Sequence, residues 1–95
     1  MTKFRKEVLA EVLYELDGAI EKFPTWPTDP LHALSVLGEE FGELTRAMMQ
    51  MTYEPRKVSR SQVRIEAVQT AAMAIRLIMH LDRYEYTPSK MHEEN

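Results

Sequence analysis

The stretch from Val63 to Leu81 constrains this chain most, because its apolar residues do not keep to a single stripe. On a helix turning about 100° per residue, Val63, Ala67, Ala74, Leu77, Ile78 and Leu81 fall on one side. Ile65, Val68, Ala72 and Met79 fall nearly opposite. A helix that is apolar on most sides must be covered on most sides. A chain of 95 residues buries only about 60 to 68% of its unfolded surface, so three helices offer too little protein to cover both faces. The second face is therefore expected to meet another copy, which makes the chain a homodimer or homotetramer.

Between those two sides, Gln62, Glu66, Gln69, Met73 and His80 lie within about 60° of one another and form a narrow polar line. Glutamate is almost never fully buried without a partner. Its anion would be costly there unless paired or bound to a metal, so Glu66 asks for an explanation.

Two further helices precede this one. From Phe4, the residues Val8, Leu9, Val12, Leu13, Leu16, Ala19, Ile20 and Phe23 follow the spacing of a helix burying one face, with Thr2 as its N-cap. Gly18 inside it suggests a close helix contact. Pro24, Pro27 and Pro30 then remove donors and push their predecessors out of helical geometry, leaving a stiff loop that carries Trp26, a packing plug or a pocket wall. Asp29-Pro30 reads as N-cap and first residue of a second helix running to about Met51. The form Ser59-Arg60-Ser61-Gln62 reads as a capping box for the third, which is expected to reach about Arg83. Tyr84 to Asn95 is polar and shows no period, so residues 1–83 read as one all-α domain and 84–95 as a C-terminal tail.

Composition narrows the functions. The absence of cysteine excludes a disulfide framework and a thiolate metal site. A formal charge of -3 without a basic cluster argues against nucleic acid as a partner. No apolar run follows the charged N-terminus, and none approaches the roughly 20 residues of a membrane span. A cytoplasmic protein with no membrane association is expected.

The second helix carries Glu39, Glu40 and Glu43 on one side, with Glu40 and Glu43 about 60° apart and Glu39 and Glu43 about 40° apart. Like charges at this spacing repel and call for a counter-charge. If the helices pack side by side, the pairs Glu40/Glu43 and Glu66/Gln69 converge. Three carboxylates and an amide oxygen would suit Mg²⁺ or Mn²⁺, and with it phosphate chemistry. Spacing alone equally allows a solvated acidic face, with Glu66 satisfied by Arg46 or Arg64.

Gly38-Glu39-Glu40-Phe41-Gly42-Glu43-Leu44, followed by Ile65-Glu66-Ala67-Val68-Gln69-Thr70-Ala71-Ala72, resembles the E-E-x-x-E and E-x-x-D motifs of the MazG-like, all-α nucleotide pyrophosphohydrolases. Lys22-Phe23-Pro24-Thr25-Trp26-Pro27 and Leu81-Asp82-Arg83 are similar to segments of small phage and bacterial members, so the likeness covers roughly residues 8 to 83. It implies a MazG-like bundle of three main helices completed by oligomerisation. It also implies Mg²⁺-dependent cleavage of a nucleotide between the α and β phosphates.

Residue by residue, the resemblance makes Glu40, Glu43, Glu66 and Gln69 metal ligands and gives Glu39, Glu40, Glu43 and Glu66 the catalytic work. Gln69 stands where many members have Asp, and it brings oxygen without charge. Lys22, Arg46, Lys57, Arg60 and Arg64 are candidate phosphate contacts, and Trp26 and His32 are candidates for the base or ribose pocket. Two other readings remain: a catalytically weakened nucleotide- or metal-binding regulator, suggested by Gln69, and a structural oligomerisation module.

Overall fold

The computed structural model describes residues 2–86, with side chains from Phe4 onward. The chain forms three long helices, α1 (Thr2–Lys22), α2 (Pro30–Tyr53) and α3 (Arg60–Met79), followed by a 3₁₀ turn at Leu81–Arg83. No described segment is a strand, and no described helix is long and apolar enough to cross a membrane. Thr2, expected as the N-cap, is the first residue within α1, its side chain lying outside what is described, as does the tail beyond Tyr86.

The loop chemistry behaves as the sequence indicates. Asp29 caps α2 by accepting from the backbone N–H groups of Leu31 and His32, and Pro30 begins the helix without wasting a donor. Ser59 caps α3 by accepting from the Gln62 N–H. The reciprocal half of the capping box is missing, because the Gln62 side chain turns toward Glu66 instead. A Glu54 carbonyl accepts from Lys57 in the connection between α2 and α3, and their side chains pair.

Helix α3 is the centre of the fold. Both α1 and α2 pack on it, and among the described residues they do not pack on each other. Arg64 meets Glu11 and Arg76 meets Phe23, both fifty-three positions apart, so α1 and α3 run parallel. Thr70 donates to the Glu40 carbonyl while Glu66 lies by Glu43, so α2 runs antiparallel to α3. Val12 and Leu16 of α1 bury against Ala72, with Val68 and Ile75 around them. Ala33 and Ala47 are the buried residues of α2, small enough for a close helix approach.

This arrangement covers part of the apolar surface of α3. The two apolar sides of α3, expected to need a second copy, pack on α1 and α2 of the same chain, while Ile65 and Met79 on one side and Ile78 and Leu81 on the other stay exposed. Apolar surface is also uncovered on α2, on the side away from Ala33 and Ala47. There Leu34, Gly38, Phe41, Gly42, Thr45 and Met49 are all exposed, within an arc of about 100°. No large side chain is fully buried anywhere in the described chain. Gly18 also differs from expectation, since a Cβ there would meet nothing within 4 Å.

Tyr84, read from sequence as the start of the tail, is buried. Its hydroxyl accepts from Trp26 Nε1 at 2.9 Å and donates to the Leu77 carbonyl at 3.1 Å. The Glu85 N–H donates to the Thr28 carbonyl, so the segment after α3 straps the proline-rich loop in place.

Candidate metal centre and adjoining cavity

The antiparallel packing of α2 on α3 brings Glu40, Glu43 and Glu66 together, each offering an oxygen within 4.8 Å of the others. On α2 the pair is one turn apart. On α3, Glu66 emerges from the seam, where Gln62 Nε2 donates to its Oε1 at 3.0 Å. The remaining oxygens carry the signal: Glu40 Oε2 and Glu66 Oε2 are buried and have no hydrogen-bond partner. Buried polar atoms in native folds are rarely left unpaired, so each is a lone pair available to a ligand.

Electrostatics agree with the geometry. Burial raises the Glu40 carboxyl above its usual range, and the charges of Glu43, Glu66, Glu39 and Glu15 raise it further. Arginine does not relieve the cluster: Arg64 is held by Glu11 through Nε and Nη2 on the far side of α3. The oxygen set of three carboxylates with a neighbouring amide suits a hard divalent cation such as Mg²⁺ or Mn²⁺.

Two cavities flank the carboxylates. The larger, about 430 Å³, opens between α1 and α2 and is bordered by Glu40, Gln69, Lys22, Trp26, Arg76 and Glu15, among others. Its volume is in the range of small-molecule sites. The smaller, about 240 Å³, lies on the other side of the cluster against Glu43, Arg46, Gln62 and Glu66. The carboxylates thus form a ridge between an aromatic-walled space and a smaller one with an arginine.

The structure places the sequence candidates unevenly. Glu40, Glu43 and Glu66 converge, and Gln69, Trp26 and Lys22 border the large cavity. Arg46 borders the small one. Glu39 is exposed beside the cluster and acts on it through its charge on Glu40. His32 is exposed on the first turn of α2 and borders neither cavity. Arg64 also borders neither, being paired with Glu11.

Sequence reasoning missed three participants. Glu15 of α1 borders the cavity and bears on Glu40. Gln62 orients Glu66. Arg76 of α3 is 3% exposed. A charge inside a buried helix is rare enough to be a signal in its own right.

Neither a family model, nor a curated protein, nor a solved structure matches this chain.

Proposed function

We propose that this chain is a Mg²⁺-dependent nucleotide pyrophosphohydrolase, with Mn²⁺ as an alternative metal, acting as a homo-oligomer in nucleotide-pool cleaning in the cytoplasm. The observation that carries the reading is the convergence of Glu40, Glu43 and Glu66, with two buried carboxylate oxygens left unbonded beside a cavity. The resemblance of residues 38–44 and 65–72 to the MazG-like motifs supports it independently.

In this reading Glu40, Glu43 and Glu66 hold the cation, Gln62 keeps Glu66 turned toward it, and Gln69 adds a neutral oxygen. A bound Mg²⁺ would neutralise phosphate charge and lower the pKa of a coordinated water. Glu39, exposed at the rim, orients the attacking water. That water's oxygen replaces the oxygen bridging the α and β phosphates on one phosphorus, and the products are a monophosphate and pyrophosphate. Lys22 and Arg46, one at each cavity, offset phosphate charge. The uncovered face of α2 is the surface through which copies associate, since an apolar strip along a helix about 36 Å long is costly to leave in water.

Incubation with Mg²⁺ and a panel of canonical and modified nucleotides tests the proposal, with pyrophosphate as the readout. Release that is lost in Glu43→Gln supports it. Tight nucleotide binding without turnover, restored by Gln69→Asp, would favour the regulator. The absence of both nucleotide and Mg²⁺ binding would leave a structural module.

A further inference from the structure

Arg76 has an unusual setting. It is buried, and among the described residues no carboxylate pairs with it. Nη2 donates to the Phe23 carbonyl at 2.6 Å and more weakly to that of Thr25 at 3.4 Å. These are carbonyls that the end of α1 and Pro24 leave without helical partners. The guanidinium lies 4.8 Å from the centre of the Trp26 ring, in cation–π contact. Its Nε is buried and unbonded, and no described protein group accepts from Nη1. Arg76 nevertheless borders the large cavity. A dehydrated cation, immobilised through Nη2, is therefore present with Nε and Nη1 to spare and no acceptor supplied for them among the described residues.

Its distance from the carboxylates decides what it can touch. Ten residues of α3 separate Glu66 from Arg76, about 15 Å along the helix, with Gln69 and Met73 between them on the same side. A phosphate held at the carboxylates is out of Arg76's reach. The cavity runs continuously from Glu40 to Arg76 and is walled at the Arg76 end by Trp26 and Phe23. Aromatic walls accept the flat face of a base by stacking. With the phosphates at the acidic end, the edge of the base farthest from the sugar falls at Arg76.

We propose that Arg76 is the residue that selects the base, and that it favours nucleotides carrying a carbonyl oxygen at this far edge. These are the 6-oxo purines and 4-oxo pyrimidines, as against the 6-amino and 4-amino bases. Guanidinium has only donors. It pairs with a carbonyl, and with N7 beside it in a purine. An exocyclic amino group would oppose donor to donor, and burial prevents water from relieving the mismatch. The inference rests on the nucleotide reading given above, and it adds a discrimination which that reading does not contain.

The test compares GTP and ITP with ATP, and UTP with CTP, by kcat/KM in the wild type and in Arg76→Lys. Calorimetric binding of IMP and AMP in Mg²⁺ is measured in parallel and does not depend on turnover. The oxo nucleotides should be favoured by roughly tenfold or more, and Arg76→Lys, which keeps the charge but loses the planar fork, should move each ratio toward one. A merely structural role for Arg76 would lower all rates together and leave the ratios unchanged, which would overturn the inference. Wild-type ratios within about threefold of parity, or inverted, would overturn it even if pyrophosphate is released. IMP bound over AMP without turnover would support the base-reading role while removing the hydrolase. Should Arg76→Lys fail to fold, the wild-type ratios alone decide.

Discussion

Glu40 on α2 and Glu66 on α3 each bury an unbonded Oε2 at the same seam, so the cation-free protein stores repulsion there. Glu40 is raised above its ordinary value of 4.5, first by burial and then by its acidic neighbours. The folded chain therefore binds the Glu40 proton more tightly than the unfolded chain does. Its penalty is absent below about 4.5, grows as pH rises through the raised folded value, and persists at neutrality. Without divalent cations, Glu40→Gln should be more stable than wild type at pH 7, with the gap closing in mild acid. Urea denaturation at several pH values measures it, and a gap independent of pH would refute it.

Divalent cation should reverse the sign of that comparison. At a hundred times the dissociation constant, a ligand specific for the folded state adds about 2.7 kcal/mol. In a domain this small that is a rise in Tm on the order of 10 °C. Wild type with Mg²⁺ should show such a rise, and Glu43→Gln or Glu66→Gln should lose most of it. Equal shifts in all three proteins would show that the ion binds elsewhere.

Tyr84→Phe removes one oxygen that serves two partners, Trp26 Nε1 and the Leu77 carbonyl. Leaving a partly buried donor unsatisfied costs about 1 to 3 kcal/mol, and the loss should appear in the denaturation midpoint. Trp26 is the only tryptophan, so its fluorescence should shift to the red as the ring gains water. An unchanged emission spectrum would show that Tyr84 does not fix the ring.

Gly38→Ala separates the folding of one chain from the association of copies. A Cβ at this position meets nothing within 4 Å, so the substitution should stabilise α2 within a single chain by up to about 1 kcal/mol. If copies approach through this face, Gly38→Ala should also weaken association, seen as a raised dissociation constant in sedimentation. Gly18→Ala, in α1 and away from that face, should stabilise without affecting association.

Local signals carried the helices well. Asp29-Pro30 and Ser59 each cap through atoms two or three residues away, and such chemistry is readable in a short window. The acidic cluster was legible for a related reason: a one-turn spacing on α2 and a glutamate misplaced in an apolar helix needed only side-by-side packing to meet. What stayed hidden depended on distant pairings. Arg76 donates to a carbonyl fifty-three residues away and Trp26 to a hydroxyl fifty-eight away, so neither the partners of the buried cation nor the strap at Tyr84 had a local mark. Apolar composition shows that a helix is covered without showing by what: α1 and α2 take opposite sides of α3, and Ile65, Ile78, Met79 and Leu81 are left exposed.

That α1 and α2 meet only through α3 has a mechanical consequence. The large cavity has no crossbar above it. Its width is set by how α1 seats on a small patch around Ala72 and by the Glu11–Arg64 pair. A slight roll of α1 over that alanine would widen the mouth without breaking any helical hydrogen bond. The gape of the chamber is thus governed by the tilt of one helix, not by a wall shared between α1 and α2.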